Sequence, residues 1–336
     1  MQAGHHSFFF PDRAKVTNEN STSLVTSLNG SSRYQFATVI IFFVLQILGG
    51  HLGVPVVLLT IVIRKGMTRH PLLINFLVTW VIYSTSFCIL CVRLYLGKQL
   101  GPEPPDGLCI LQAASIYGTA VMTPMAGLSF VLNLWLTLRA VAKHQSLSDH
   151  TWRNFALLAL PYISFVIFVV FTGILGSINP ELVSRNHHLF YCTINLDAVD
   201  FVPGCAAIIM LTVVVVEVLI AIKLRRMRKS FHDMKASGGP SIHLIIRVGI
   251  FSIYSFLSLL ACITFWSETA QELPYMIQAS LPTVAFIIFG TQRDLLEAWG
   301  LISFWYWLIR KPKPSLRYDK PQPGPALLST VGRQGP

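Results

Sequence analysis

The stretch FVPGCAAIIMLTVVVVEVLIAIKLRRMRK, residues 201–229, decides what kind of protein this is. Phe201 to Leu224 is an apolar run, and about 20 such residues in an α-helix cross a hydrocarbon core of about 30 Å. Arg225, Arg226, Arg228 and Lys229 follow at once, as basic residues do on the cytosolic side of a membrane helix. One residue inside the run breaks the pattern. Glu217 lies six residues before Lys223, about 9 Å inside the cytosolic end at 1.5 Å per residue.

Working outward, six further runs read as spans: Phe36–Ile63, Pro71–Leu96, Leu108–Leu138, Trp152–Gly176, His243–Trp266 and Leu273–Gln292. The last is the shortest unbroken run, interrupted by Gln278 and Pro282. The expected fold is all-α, a bundle of seven transmembrane helices over residues 36–292. Composition agrees. Of 336 residues, 53% are hydrophobic and 12% charged, and the mean hydropathy is +0.58. Soluble domains carry about 25% charged residues, so this chain has too little polar surface to cover a water-soluble globule. The net charge of +11 sits in short clusters between apolar runs, which fits membrane topology and no nucleic-acid partner.

Orientation follows from lysine and arginine. With the N-terminus outside, 20 of these residues fall on the inner side and 6 on the outer. The positive-inside rule therefore places the C-terminus in the cytosol. Asn20-Ser21-Thr22 and Asn29-Gly30-Ser31 are glycosylation acceptors in the same outer tail, residues 1–35. No cleavable leader is legible there, so the first span is expected to act as its own insertion signal. Residues 311–336, rich in Pro, Gly and basic residues, read as a disordered cytosolic tail. Between them and the last span, residues 293–310 mix Leu295, Leu296, Trp299, Ile302, Phe304, Trp305 and Trp307 with polar positions. That stretch is too short to cross and suits a short interfacial eighth helix.

Six cysteines are present, most of them inside spans. Cys109 opens the third span and Cys192 lies in the long loop before the fifth, both on the outer, oxidising side. A disulfide between them is expected; the alternative is two unrelated thiols.

Seven helices with this cysteine pair resemble the rhodopsin-like receptor superfamily. Arg69-His70-Pro71-Leu72-Leu73-Ile74-Asn75-Phe76 is similar to the start of the second helix there. Pro282 with Phe286, Phe289-Gly290-Thr291-Gln292 and the aromatic stretch beyond is similar to the end of the seventh. Within the superfamily, Asn75, Phe76, Thr79, Trp80, Tyr83 and Ser84 most resemble G-protein-coupled receptors of mushroom-forming fungi. The resemblance covers roughly residues 36–310. It implies a plasma-membrane receptor that binds an unknown extracellular or lipid ligand and signals through a heterotrimeric G protein. No cofactor is implied.

The chain also departs from the superfamily. The third span ends Asn133-Leu134-Trp135-Leu136-Thr137-Leu138-Arg139, with no Asp-Arg-Tyr triplet. The sixth has no proline, and Leu281-Pro282-Thr283-Val284-Ala285 stands where Asn-Pro-x-x-Tyr is usual. Activation then needs another device. Intramembrane carboxylates are costly and normally paired, so Glu217 is a candidate switch with Arg247 or Arg139. Arg225, Arg226, Arg228 and Lys229 are candidate contacts for anionic lipid or a G protein. His51, Tyr117 and Thr123, with Gln46 and Thr119, are candidate pocket residues on the first and third spans. Small polar residues also join helices to one another.

Other classes fit less well. The seventh span has no lysine for a retinal Schiff base, and only His51 among the histidines lies clearly within a span, too few for an intramembrane zinc hydrolase. No Gly-rich phosphate loop is present, and no enzyme is expected. A small-solute transporter or channel is the alternative, although no internal repeat is visible.

Overall fold

The computed structural model describes residues 36–64, 70–90, 105–142, 151–185, 190–226, 242–264 and 272–300. These are mostly helical. In chain order the helices are α1 (Phe36–Ile63), α2 (Pro71–Cys88), α3 (Asp106–Ala142), α4 (Thr151–Ile178), α5 (Phe201–Arg226), α6 (Ile242–Thr264), α7 (Glu272–Gly290) and α8 (Arg293–Ala298). Between α4 and α5, β1 (Val183–Ser184) pairs antiparallel with β2 (Thr193–Ile194). Helices α1 to α5 are long and apolar enough to cross a membrane, the mark of a membrane protein. The apolar parts of α6 and α7, Ile245–Leu260 and Tyr275–Gly290, are shorter.

Ring contacts and side-chain bonds fix the arrangement. The β1–β2 hairpin lies over the ends of α1, α2, α3 and α7, touching Phe42, Phe87, Cys109 and Tyr275. At the far end, His70 at the start of α2 meets Asn133 late in α3, and Arg247 early in α6 meets Thr291 just past α7. Consecutive long helices therefore run in alternating directions. Helix α3 lies deep in the bundle, with 61% of its apolar window buried, against 17% for α4.

The bundle is apolar on its outside as well as its inside. Ile163, Val166, Ile167, Val170 and Ile174 of α4 are exposed, as are Ile208, Leu211, Val215 and Val218 of α5. Soluble proteins rarely leave contiguous apolar patches of this extent uncovered, whereas lipid solvates them. The interior is held by rings. Phe76, Trp80, Phe251 and Phe289 join α2, α6 and α7 edge to face, with centroids 5.3–6.1 Å apart.

Local chemistry explains several helix features. His70 is extended ahead of Pro71, and its Nδ1 accepts from the Leu72 N–H at 3.3 Å, capping α2. Partial burial lowers the His70 pKa. His70 Nε2 lies 3.2 Å from Asn133 Nδ2, which brings the start of α2 against the late part of α3. In α7, Pro282 has no N–H and leaves the Gln278 carbonyl without its usual helical partner; the Tyr83 hydroxyl donates to that carbonyl at 3.5 Å.

Within α1, Ile47–Gly53 is π-helical. Gly49, Gly50 and Gly53 let its backbone press against Pro282 and Thr283, Ser84, and Phe286. A Cβ on Gly49 would overlap the backbone of Pro282 and Thr283, whereas one on Gly204 meets nothing within 4 Å. Gly49→Ala is therefore expected to destabilise by about 1–3 kcal/mol or more through overpacking. Gly204→Ala should be neutral or stabilising by up to about 1 kcal/mol, as in any helix interior. Thermal unfolding of the two variants in detergent checks the contrast.

Candidate functional site

The site is built beneath the hairpin. Cys109 and Cys192 form a disulfide with a Cα–Cα distance of 5.3 Å, and both cysteines are buried. One turn past Cys109 on α3, the fully buried Gln112 completes the tether. Its Nε2 donates to the Phe87 carbonyl at 3.1 Å, and its Oε1 accepts from the Cys192 N–H at 3.1 Å. The Tyr117 hydroxyl donates to the Ile194 carbonyl at 3.4 Å. Phe190 stacks on Phe42 at 4.8 Å, and Tyr191 packs edge-on to Phe87 at 5.1 Å. The loop is thus a lid fixed covalently to α3 and by rings to α1, α2 and α7.

Under this lid lies a cavity of about 370 Å³, bounded by α2, α3, α5, α6 and α7. That is within the range of small-molecule sites. Tyr191, Thr193, Asn195 and Asp200 form its rim. Tyr117, Thr123, Met210, Tyr275 and Gln278 line the walls, and Phe76, Trp80, Phe251 and Ser252 line the cavity farther along α2 and α6 from the hairpin end. Of the residues expected to line a pocket, Tyr117 and Thr123 do so. His51 does not, because it lies between α1 and α2 with Nε2 3.3 Å from the Thr85 hydroxyl. Gln46 and Thr119 are fully buried elsewhere, Thr119 donating to the Ile116 carbonyl at 2.9 Å.

Sequence reasoning missed the serines of α6. Ser252, Ser255 and Ser258 recur every third residue of an otherwise apolar helix, and all three line the cavity. That spacing puts them on one face, a signal that was readable without the structure. The rim residues carried no comparable signal, since their approach depends on the hairpin.

The structure gives Glu217 a different partner from those expected. Ser252 Oγ donates to Glu217 Oε1 at 2.6 Å, joining α6 to α5 at the cavity floor. Arg247 is engaged elsewhere: its guanidinium donates to the Ile288 carbonyl, to Thr291 Oγ1 at 2.9 Å and to the Thr291 carbonyl at 2.9 Å. The last carbonyls of a helix have no intrahelical donor and carry the negative end of its dipole. They draw Arg247 to the end of α7, away from Glu217. Arg139 lies over the Trp135 ring at 5.4 Å, and so does Lys223 at 5.4 Å, a cation–π link between α3 and α5. Among the described residues no ion pair joins Glu217 to either arginine.

Arg225 and Arg226 end α5 exposed, and Arg228 and Lys229 lie outside the described residues. So do Asn20, Asn29, residues 301–310 of the expected interfacial helix, and the tail 311–336. The described part of that helix, α8, is tied to α1. Trp299 Nε1 donates to Thr60 Oγ1 at 2.9 Å, and Arg64 Nη2 donates to the Ala298 carbonyl at 2.7 Å. In comparisons with known proteins, the chain matches no family model and no curated protein sequence.

Proposed function

We propose that the chain is a seven-helix receptor of the plasma membrane, with the hairpin end outside and a heterotrimeric G protein as its partner at the cytosolic end. The observation that carries this reading is the Ser252–Glu217 hydrogen bond. Ser252 is a wall of the cavity, while Glu217 stands on the helix that ends in Lys223, Arg225 and Arg226. A molecule seated against Ser252 competes for its hydroxyl and so alters what holds α5 to α6. That couples a binding event at one end of the bundle to helix positions at the other, as a two-state device requires.

Helix length supports seven crossings. At 1.5 Å per residue, the 23 residues of α6 cover about 34 Å and the 19 residues of α7 about 28 Å. Both are close to the thickness of a hydrocarbon core. The 20 basic residues assigned to the far end give the orientation. A transporter or channel would need a path through the bundle, yet Phe76, Phe251 and Phe289 pack against one another at the cavity floor, 5.6–5.9 Å between centroids.

The test is nucleotide exchange by a panel of Gα subunits spanning the known classes, on nanodiscs holding the full chain. At least one subunit should exchange about threefold or more faster than on empty discs, a change of about 0.65 kcal/mol in effective barrier. Acceleration of none, together with solute flux in proteoliposomes, would move the assignment to transport.

A further inference from the structure

We infer that the cavity takes an uncharged, largely apolar molecule bearing a hydroxyl or carbonyl oxygen, which accepts a hydrogen bond from Trp80 and exchanges one with Ser255. This rests on the reading of the cavity as a ligand site, and three observations carry it.

The first is charge. Among the described lining residues there is no lysine, arginine or histidine. The carboxyls nearest to a guest are Asp200 at the rim and Glu217 behind Ser252. A carboxylate or phosphate buried there would lose its water and gain no counter-charge, the costliest form of burial.

The second is the pair of unsatisfied groups. Trp80 Nε1 and Ser255 Oγ are buried without a hydrogen-bond partner, and both residues line the cavity. Buried polar groups in folded proteins nearly always have partners. An indole N–H only donates, so its partner must be an acceptor. An ammonium group offers no acceptor, whereas a hydroxyl or a carbonyl oxygen does. The vacant bonds thus select against cations as the missing charges select against anions.

The third is the wall itself. Phe76, Phe251, Met210 and Tyr275 surround the serines with rings and a thioether. Most of the guest's surface must therefore be apolar, with the polar atom confined to the side that meets α2 and α6.

The experiment uses purified full-length protein in detergent and matched sets of probes on phenylalkyl and decalin skeletons. Each set comprises the hydrocarbon, an alcohol, a ketone, a carboxylate and a primary amine, ranked by the shift in unfolding temperature and by titration calorimetry. Alcohols or ketones should bind, with the matched carboxylate and amine about a hundredfold weaker. Trp80→Phe and Ser255→Ala should each weaken the best alcohol or ketone about tenfold, by loss of one hydrogen bond, and leave the hydrocarbon unchanged. Two variants are used because Ser255→Ala removes a single atom and folds even where Trp80→Phe does not.

Three results would overturn the inference: no alcohol or ketone binding, a carboxylate or amine binding as tightly, or binding indifferent to both variants. Failure here is separable from failure of the receptor assignment. Exchange activity alongside binding of an anionic guest removes only the ligand class. Alcohol binding without effect on any Gα removes only the signalling.

Discussion

Cys192→Ser is expected to leave the helices formed but to remove the lid, lowering stability by about 2–5 kcal/mol, the usual cost of deleting a native disulfide. The bridge spans 83 positions of sequence, for which chain entropy alone gives about 4.6 kcal/mol. That figure is an upper bound here, because a denatured chain held in a membrane keeps much of its helix and has less freedom to lose. The lid should fail more completely than the bundle. Tyr191, Thr193, Ile194 and Asn195 all line the cavity, and they are positioned through Cys192 and its neighbours. Ligand-dependent stabilisation should therefore disappear in Cys192→Ser while helix content by far-ultraviolet circular dichroism stays within a few per cent. Cys109→Ser and the double variant should match it, since each removes the same bond. Retained ligand stabilisation in all three would show that the rings of Phe190 and Tyr191 hold the lid unaided.

Gln112 is the second element of the same tether, and its place shows where sequence reading stops. A cysteine at the head of one span and another in the facing loop have few alternative partners, so topology brings them together. A glutamine in an apolar helix gives no such direction. Only the fold reveals that its two amide ends are used separately, one on α2 and one on the lid. The run Phe201–Leu224 was legible for the opposite reason, since apolar length is a one-dimensional property and the membrane reads it directly. The π-helical part of α1 was not, because the glycines signal only a weak helix. It is the close approach of α7 that makes them necessary. Glu217 lies between these cases. That a carboxyl at that depth needs a partner follows from the sequence. Which partner it takes depends on the rotation of α6 about its axis.

That rotation makes the last prediction a sharp one. Ser252 and Arg247 are five residues apart on α6, about 7.5 Å along the axis. They bond to different helices, Ser252 to α5 and Arg247 to α7. Double-mutant cycles on thermal stability should find a coupling of about 1 kcal/mol between Ser252 and Glu217, the net worth of a buried hydrogen bond, and near zero between Arg247 and Glu217.

If the chain is the receptor proposed above, the signalling consequences should divide in the same way. Arg247→Met removes three bonds from the end of α7 and leaves its last carbonyls without that donor, so α6 is free to part from α7. Basal nucleotide exchange should rise about tenfold, the effect of shifting a two-state equilibrium by about 1.4 kcal/mol. Ser252→Ala should raise it less and should blunt the response to ligand, because the contact that senses the cavity is then missing. A large Arg247–Glu217 coupling would restore the direct ion pair expected from sequence and displace Ser252 from its role. An Arg247→Met protein with unchanged basal exchange would mean that the junction of α6 with α7 is structural alone.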